Sequence, residues 1–125
     1  MTVAAEHDLA VRFFDAIERG DAAAVAACYA EDVAIWHNTD GLTQGRDENL
    51  KVLSGLIRYY PERRYAERRL TAFPGGFVQQ HVLRARRSDG AERSLPACVI
   101  CQVKDGRITR LDEYFDSAHQ AAFIA

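Results

Sequence analysis

Near the end of the chain, Gly106 to Asp116 follows a turn and alternates as a strand does. Thr109, Leu111, Glu113 and Phe115 then share one face, and Ile108, Arg110, Asp112 and Tyr114 share the other. A carboxylate in so apolar a row is costly to desolvate. Glu113 must find a partner, hold a raised pKa or line a cavity that admits a polar ligand; the plainer alternative is a salt bridge or a charge at a sheet edge. Earlier in the chain, Trp36, His37 and Asn38 close a second strand-like run, Val33–Asn38. Histidine, with an ordinary pKa of about 6.5, exchanges a proton near neutral pH without much tuning. If His37 and Glu113 face each other, they titrate as a coupled pair and can act as base and acid on one substrate.

Strand parity limits this set. Ile35 and His37 share one face and Trp36 and Asn38 the other, so a regular strand cannot send all three polar or aromatic groups into one cavity. A bulge, or the start of the loop at 38–45, would relax that restriction. His81 shares a row with Phe77, Gln79, Leu83 and Ala85, which fits a pocket wall or a dimer interface equally well.

Other chemistries find little support. Cys98 and Cys101 form a C-x-x-C inside a strand-like segment, where three residues separate the Cα atoms by roughly 10 Å, beyond the about 7 Å limit for a disulfide. Cys28, on a helix, reads as a small core residue. No Gly-x-Ser-x-Gly occurs, and Pro74-Gly75-Gly76 lacks the flanking elements of a phosphate cradle. A metal site needs three or four convergent ligands, and only His37, His81, Glu113 and Asp40 offer themselves. Neither a metal nor a cofactor is expected.

The elements that must position these residues divide the chain in two. Leu9, Phe13, Phe14, Ala16 and Ile17 recur at helical spacing, predicting a helix over 5–19 that Gly20 ends; Asp21 caps a second, over 22–29. After the Val33–Asn38 strand, Leu50, Leu53, Leu56 and Ile57 form the stripe of a third helix over 47–59, closed by Pro61. Strands follow at 64–73, 77–87, 93–104 and 107–115, the last three joined through two Asp-Gly turns, which are strong hairpin signals. A short helix over 117–123 packs over one end. Helices first and strands afterwards predict an α+β fold: a curved antiparallel sheet with three N-terminal-half helices on its concave face.

The chain has 125 residues, 48% hydrophobic and 27% charged, enough for the core of a single domain spanning 1–125. A net charge of −2 with both signs interspersed gives no reason to expect nucleic acid or a membrane as partner. The arginines between Arg63 and Arg69 read as a solvated strand edge. No run approaches a membrane span, and Glu6, His7 and Asp8 stand where a signal peptide needs a basic start and an apolar stretch. A cytoplasmic location is expected. The segment Arg93–Lys104 is apolar on both faces, so a homodimer through the outer sheet face is expected to cover one of them.

The order of elements, with Arg12 to Asp21, Cys28 to Val33, Trp36-His37-Asn38, Gly45-Arg46-Asp47 and Asp105 to Asp116, resembles the nuclear transport factor two-like superfamily. Its members include steroid delta-isomerases, limonene epoxide hydrolases and SnoaL-like polyketide cyclases. The resemblance implies a cone of helices and curved sheet around one apolar cavity, but no single activity. It implies His37 at the base position of the isomerases. Their two oxyanion donors fall on Phe13 and Val99, which cannot donate, so the main electrostatic term of that reaction is missing. The catalytic aspartate on the hydrolases' closing strand falls on Glu113, while their middle-strand Arg-x-Asp has only Gln80 and Val82. The reading is therefore a cavity for a small apolar or partly polar molecule. His37 and Glu113 are the catalytic candidates, and Trp36, Asn38, His81, Val99, Phe13 and Leu111 the binding candidates. A non-catalytic binding or dimerisation module is the competing reading.

Overall fold

A computed structural model describes residues 3–125. In chain order the elements are α1 (Ala4–Arg19), α2 (Ala22–Cys28), β1 (Tyr29–His37), β2 (Thr43–Gln44), α3 (Arg46–Tyr59), β3 (Glu62–Phe73), β4 (Gly76–Arg86), β5 (Glu92–Lys104), β6 (Arg107–Tyr114) and α4 (Ser117–Ile124). The α+β class and the helical first half are as expected. Gly20 ends α1 in the left-handed region at φ 74°, and Asp21 caps α2 by accepting from the Ala24 amide at 3.0 Å. Asp105 and Gly106 both take positive φ, 52° and 75°, as a two-residue hairpin turn requires.

The strands form one sheet in the order β2-β1-β6-β5-β4-β3. Strands β3 to β6 are the expected antiparallel meander, but β1 lies parallel to β6, so the sheet is mixed rather than wholly antiparallel. Parallel neighbours need a long crossover, and everything from α3 to β5 supplies it. The sheet bends at bulges. In β3 the register slips between Ala66 and Arg69, with Glu67 at φ 54°; in β6 it slips around Thr109. Each bulge changes which parity faces inward. For that reason Ile108 is buried in the same core as Leu111, although simple alternation puts them on opposite faces.

The helices lie on the concave face. Phe13, Phe14 and Ile17 of α1, Val25 of α2 and Leu53 of α3 pack with Ile35, Phe77, Val99, Cys101, Ile108 and Leu111. On α3 the expected stripe is only partly buried: Leu53 is enclosed, whereas Leu50, Leu56 and Ile57 are half-covered. A second cluster, Tyr60, Leu83, Ala85, Leu95 and Phe123, seats α4. There the Tyr60 ring stacks on Phe123 with centroids 4.8 Å apart, and its hydroxyl donates to the Phe123 carbonyl.

The arginine-rich β3 is an edge strand, as expected, but two of its arginines turn inward. Past the bulge, Arg68 reaches α1 and pairs with Asp15 and Glu18, each at 2.9 Å. Arg63 donates to the carbonyls of Ile17 at 3.0 Å, Glu18 at 2.9 Å and Tyr60, so one guanidinium satisfies the free end of α1 and ties it to the start of β3. We expect Arg63→Ala to lower unfolding stability by about 2 kcal/mol, the scale of charge-assisted hydrogen bonds to groups then left unpaired. Urea titration checks this, and an unchanged midpoint would show that solvent replaces the cap.

Candidate functional site

Between the concave sheet face and the helices lies a cavity of about 330 Å³. Phe13 and Ile17 of α1, Leu53 and Leu56 of α3, and Val99, Leu111 and Phe115 from the β5–β6 side make it largely apolar. His37 and Glu113 both line it. In the parallel pairing of β1 with β6, Ile35 stands beside Leu111 and His37 beside Glu113. Directly paired residues point to the same side of a sheet, so this register brings imidazole and carboxylate together. His37 Nε2 lies 3.1 Å from Glu113 Oε1, with side chains 17% and 23% exposed.

Asn38 holds that register. Its backbone amide donates to the Glu113 carbonyl at 3.1 Å, its side-chain amide donates to the Phe115 carbonyl at 3.0 Å, and its Oδ1 accepts from the Phe115 amide at 3.0 Å. Asn38 is thus a clamp on the ends of β1 and β6, not a cavity wall. Trp36 also lies outside the lining, edge-on to Tyr114 with ring centroids 5.3 Å apart. The parity rule holds for both residues. Phe13, Val99 and Leu111 do line the cavity, all three as apolar groups.

His81 faces inward but not into this cavity. It is buried against the rings of Tyr65 and Phe14, with centroids 4.4 Å and 5.5 Å away, and its Nδ1 lies 2.9 Å from Gln79 Nε2. With the amide donating, the ring accepts at Nδ1, the arrangement of a neutral imidazole.

The two histidines are pushed in opposite directions. For His37 the hydrogen bond to Glu113 raises the pKa; burial lowers it, and the charges of Glu113 and Asp40 raise it further, so the net is a rise above its ordinary 6.5. For His81 burial dominates and lowers the pKa to about 4, against the pull of Glu113. Tyr29 and Tyr65 also border the cavity, and burial first, then neighbouring negative charge including Glu113, pushes both phenols up. They remain protonated near neutrality.

Further polar lining comes from residues that the sequence reading did not select. The Tyr29 hydroxyl donates to Asn49 Oδ1 at 2.8 Å, and Asn49 Nδ2 donates to Gln44 Oε1 at 3.2 Å. Thr39 and Asp40 complete this side. Asn49 left a signal in the sequence, since it stands four residues before Leu53 on the apolar stripe of α3. Gln44 left none, because β2 is two residues long and too short to show a period.

Comparison with known proteins agrees with this architecture. A family model for the SnoaL-like domain matches residues 10–111. No curated protein matches the chain at a significant level. Among solved structures, a candidate polyketide cyclase from Xanthomonas campestris pv. campestris is similar at 24% identity and a TM-score of 0.85, over 98% of each chain. A second candidate polyketide cyclase, from Pseudomonas putida, is 21% identical with a TM-score of 0.82, over 100% of this chain and 99% of that one. An NTF2-like protein of unknown function from Burkholderia pseudomallei is 21% identical over the whole of both chains, with a TM-score of 0.81. At these identities the likeness is one of fold.

The opposed shifts give a test with a definite sign. A raised folded-state pKa means that His37 contributes stability below pH 6.5 and loses it as pH climbs through the folded value; a lowered one means that His81 contributes above pH 6.5 and loses it as pH falls toward 4. NMR titration should show His37 titrating above 6.5 and His81 holding out until about pH 4. Glu113→Gln should bring the His37 midpoint down. A His37 midpoint indifferent to that substitution would mean that the pair does not interact in solution.

Proposed function

We propose, for a chain that belongs to the SnoaL-like domain family, that it binds a small, mostly apolar molecule and that its His37–Glu113 pair moves protons on that molecule, in a reaction of isomerisation, cyclisation or hydration type. One observation carries this reading: an imidazole and a carboxylate 3.1 Å apart in the wall of a largely apolar cavity. Perturbed ionisable pairs collect at functional sites because chemistry, unlike folding, has a use for them.

The short separation decides how the work is divided. A gap of 3.1 Å leaves no room for a substrate between the two groups, so they do not flank it as separate acid and base. Glu113 instead accepts the Nε2 proton and orients the ring, which leaves Nδ1 of the neutral imidazole as the base. When Nδ1 takes a proton from the substrate, Glu113 stabilises the resulting imidazolium, which then returns the proton at a second position. The likeness in fold to candidate polyketide cyclases supports cyclisation among the possible outcomes.

We also propose a homodimer through the outer sheet face. There Ile100 and Tyr114 stand 38% and 44% exposed, near Val78, Val82 and Pro96 of the neighbouring rows. A two-fold partner would bury this patch against itself. A cytoplasmic location is consistent with three free cysteines. Among the described residues, no helix is long and apolar enough to cross a membrane.

The test of the activity is a screen of enolisable ketones, strained epoxides and polyketide-like compounds with wild type, Glu113→Gln and His37→Ala. Each variant should lose about 10²- to 10⁴-fold in turnover while keeping ligand affinity, and the double variant should lose less than the product of the two. Full turnover by both variants would rule out the pair. Binding of apolar ligands, seen as a raised melting temperature with no turnover of any substrate, would favour the non-catalytic module. For the dimer, sedimentation equilibrium should give twice the chain mass for wild type and a monomer for Ile100→Lys. A monomeric wild type at high micromolar concentration would contradict the interface.

A further inference from the structure

We propose that the side-chain amide of Gln44 anchors the ligand's carbonyl oxygen, and that the ligand is a small neutral ketone; this rests on the proton-transfer reading of the same cavity. The anchor follows from strand register. Gln44 pairs directly with Ile35 across β2 and β1, so the two share a face. His37 is two residues further along β1 on that same face. Diagonal neighbours in an antiparallel pair lie roughly 7–8 Å apart. A small ligand can therefore touch both the Gln44 amide and the His37 ring.

The direction of the hydrogen bonds says which end of Gln44 is free. The Tyr29 hydroxyl spends its proton on Asn49 Oδ1, and Asn49 Nδ2 occupies Gln44 Oε1. Gln44 Nε2 is left with its donors untaken by any acceptor among the described residues. Gln44 is half-buried at the cavity wall, and its amide donor favours a ligand oxygen, because leaving it unpaired when a ligand displaces water costs free energy. Among the lining residues there is no lysine or arginine, while Glu113 and Asp40 are acidic. A carboxylate ligand would be repelled, and a neutral carbonyl would not.

Size is compatible with such a ligand. A cavity of about 330 Å³ stands at the lower end of the range for small-ligand sites, roughly 300–1,000 Å³, and takes a fused two-ring ketone. The step balances within the site. His37 Nδ1 takes the proton from the carbon next to the carbonyl, the C–H electron pair becomes the C=C bond of an enolate, and the oxygen's new charge meets the Gln44 N–H. Return of the proton from imidazolium to carbon restores the ketone or its isomer.

The experiment compares 2-tetralone, a two-ring ketone, with tetralin, its counterpart lacking oxygen, by ligand-detected NMR titration. The proteins are wild type, Gln44→Ala, Gln44→Glu and Tyr65→Phe. Gln44→Glu keeps an acceptor for Asn49 Nδ2 and removes the donor, so it decides the matter if the alanine variant fails to fold. We expect both Gln44 variants to weaken 2-tetralone by about five- to tenfold, the effect of one hydrogen bond, and to leave tetralin unchanged. Tyr65→Phe should leave the difference between the two ligands intact. Equal losses for both ligands, no loss for the ketone, a loss carried by Tyr65→Phe instead, or no binding of either ligand to wild type would each overturn the proposal. Exchange of the ketone's α-protons in D2O, measured in parallel, tests the other reading separately. Ketone selectivity without exchange would leave the anchor standing and remove the proton-transfer function.

Discussion

The parallel pairing of β1 with β6 is the constraint on which the site depends. Side chains in a sheet alternate with a period of two, so a slip of one residue would turn either His37 or Glu113 to the outer face. The register is secured at its open end by Asn38, whose side chain and backbone together hold Glu113 and Phe115 of the neighbouring strand. At its closed end it is secured by burial of Ile35 and Leu111 in the common core. The apolar contacts and the amide clamp therefore position the His37–Glu113 pair, although neither takes part in the chemistry.

The cavity gives this pair its character. Its walls are largely aromatic and aliphatic, and the Glu113 charge is felt by several neighbours: it helps to raise the pKa of Tyr29, Tyr65 and Cys101 and pulls that of His81 upward against the effect of burial. One histidine is held in reach of the proton, and the other is kept neutral as packing. Both arise from the same physical balance. His37 touches the carboxylate, and His81 touches an amide and two aromatic rings.

Much of this was legible in the sequence wherever the signal is local. The Asp105-Gly106 turn, the stripe of α1 and the cap at Asp21 are encoded within a few residues, and the carboxylate between Leu111 and Phe115 singled out Glu113 as needing a partner or a cavity. Strand parity also separated His37 from Trp36 and Asn38. What was not legible depends on pairings distant in sequence. Nothing in the local pattern of β1 or β6 says that they run parallel. The bulges that turn Arg68 toward α1 and Ile108 into the core break the simple alternation on which such a reading relies. Gln44 becomes part of the site only because two residues pair with β1. Asn49 was legible in principle, by the same argument as Glu113: a polar side chain on an apolar stripe at helical spacing.

The central claim is that Glu113 holds the His37 ring through Nε2 and leaves Nδ1 bare as the base. The most direct measurement is the ¹⁵N spectrum of the histidine side chains at a pH above the His37 midpoint, where the ring is neutral. The account predicts that His37 is a single tautomer, with Nε2 protonated and Nδ1 free, and that Glu113→Gln loosens this preference. A His37 ring with its proton on Nδ1, or one averaging freely between tautomers in the wild type, would contradict it.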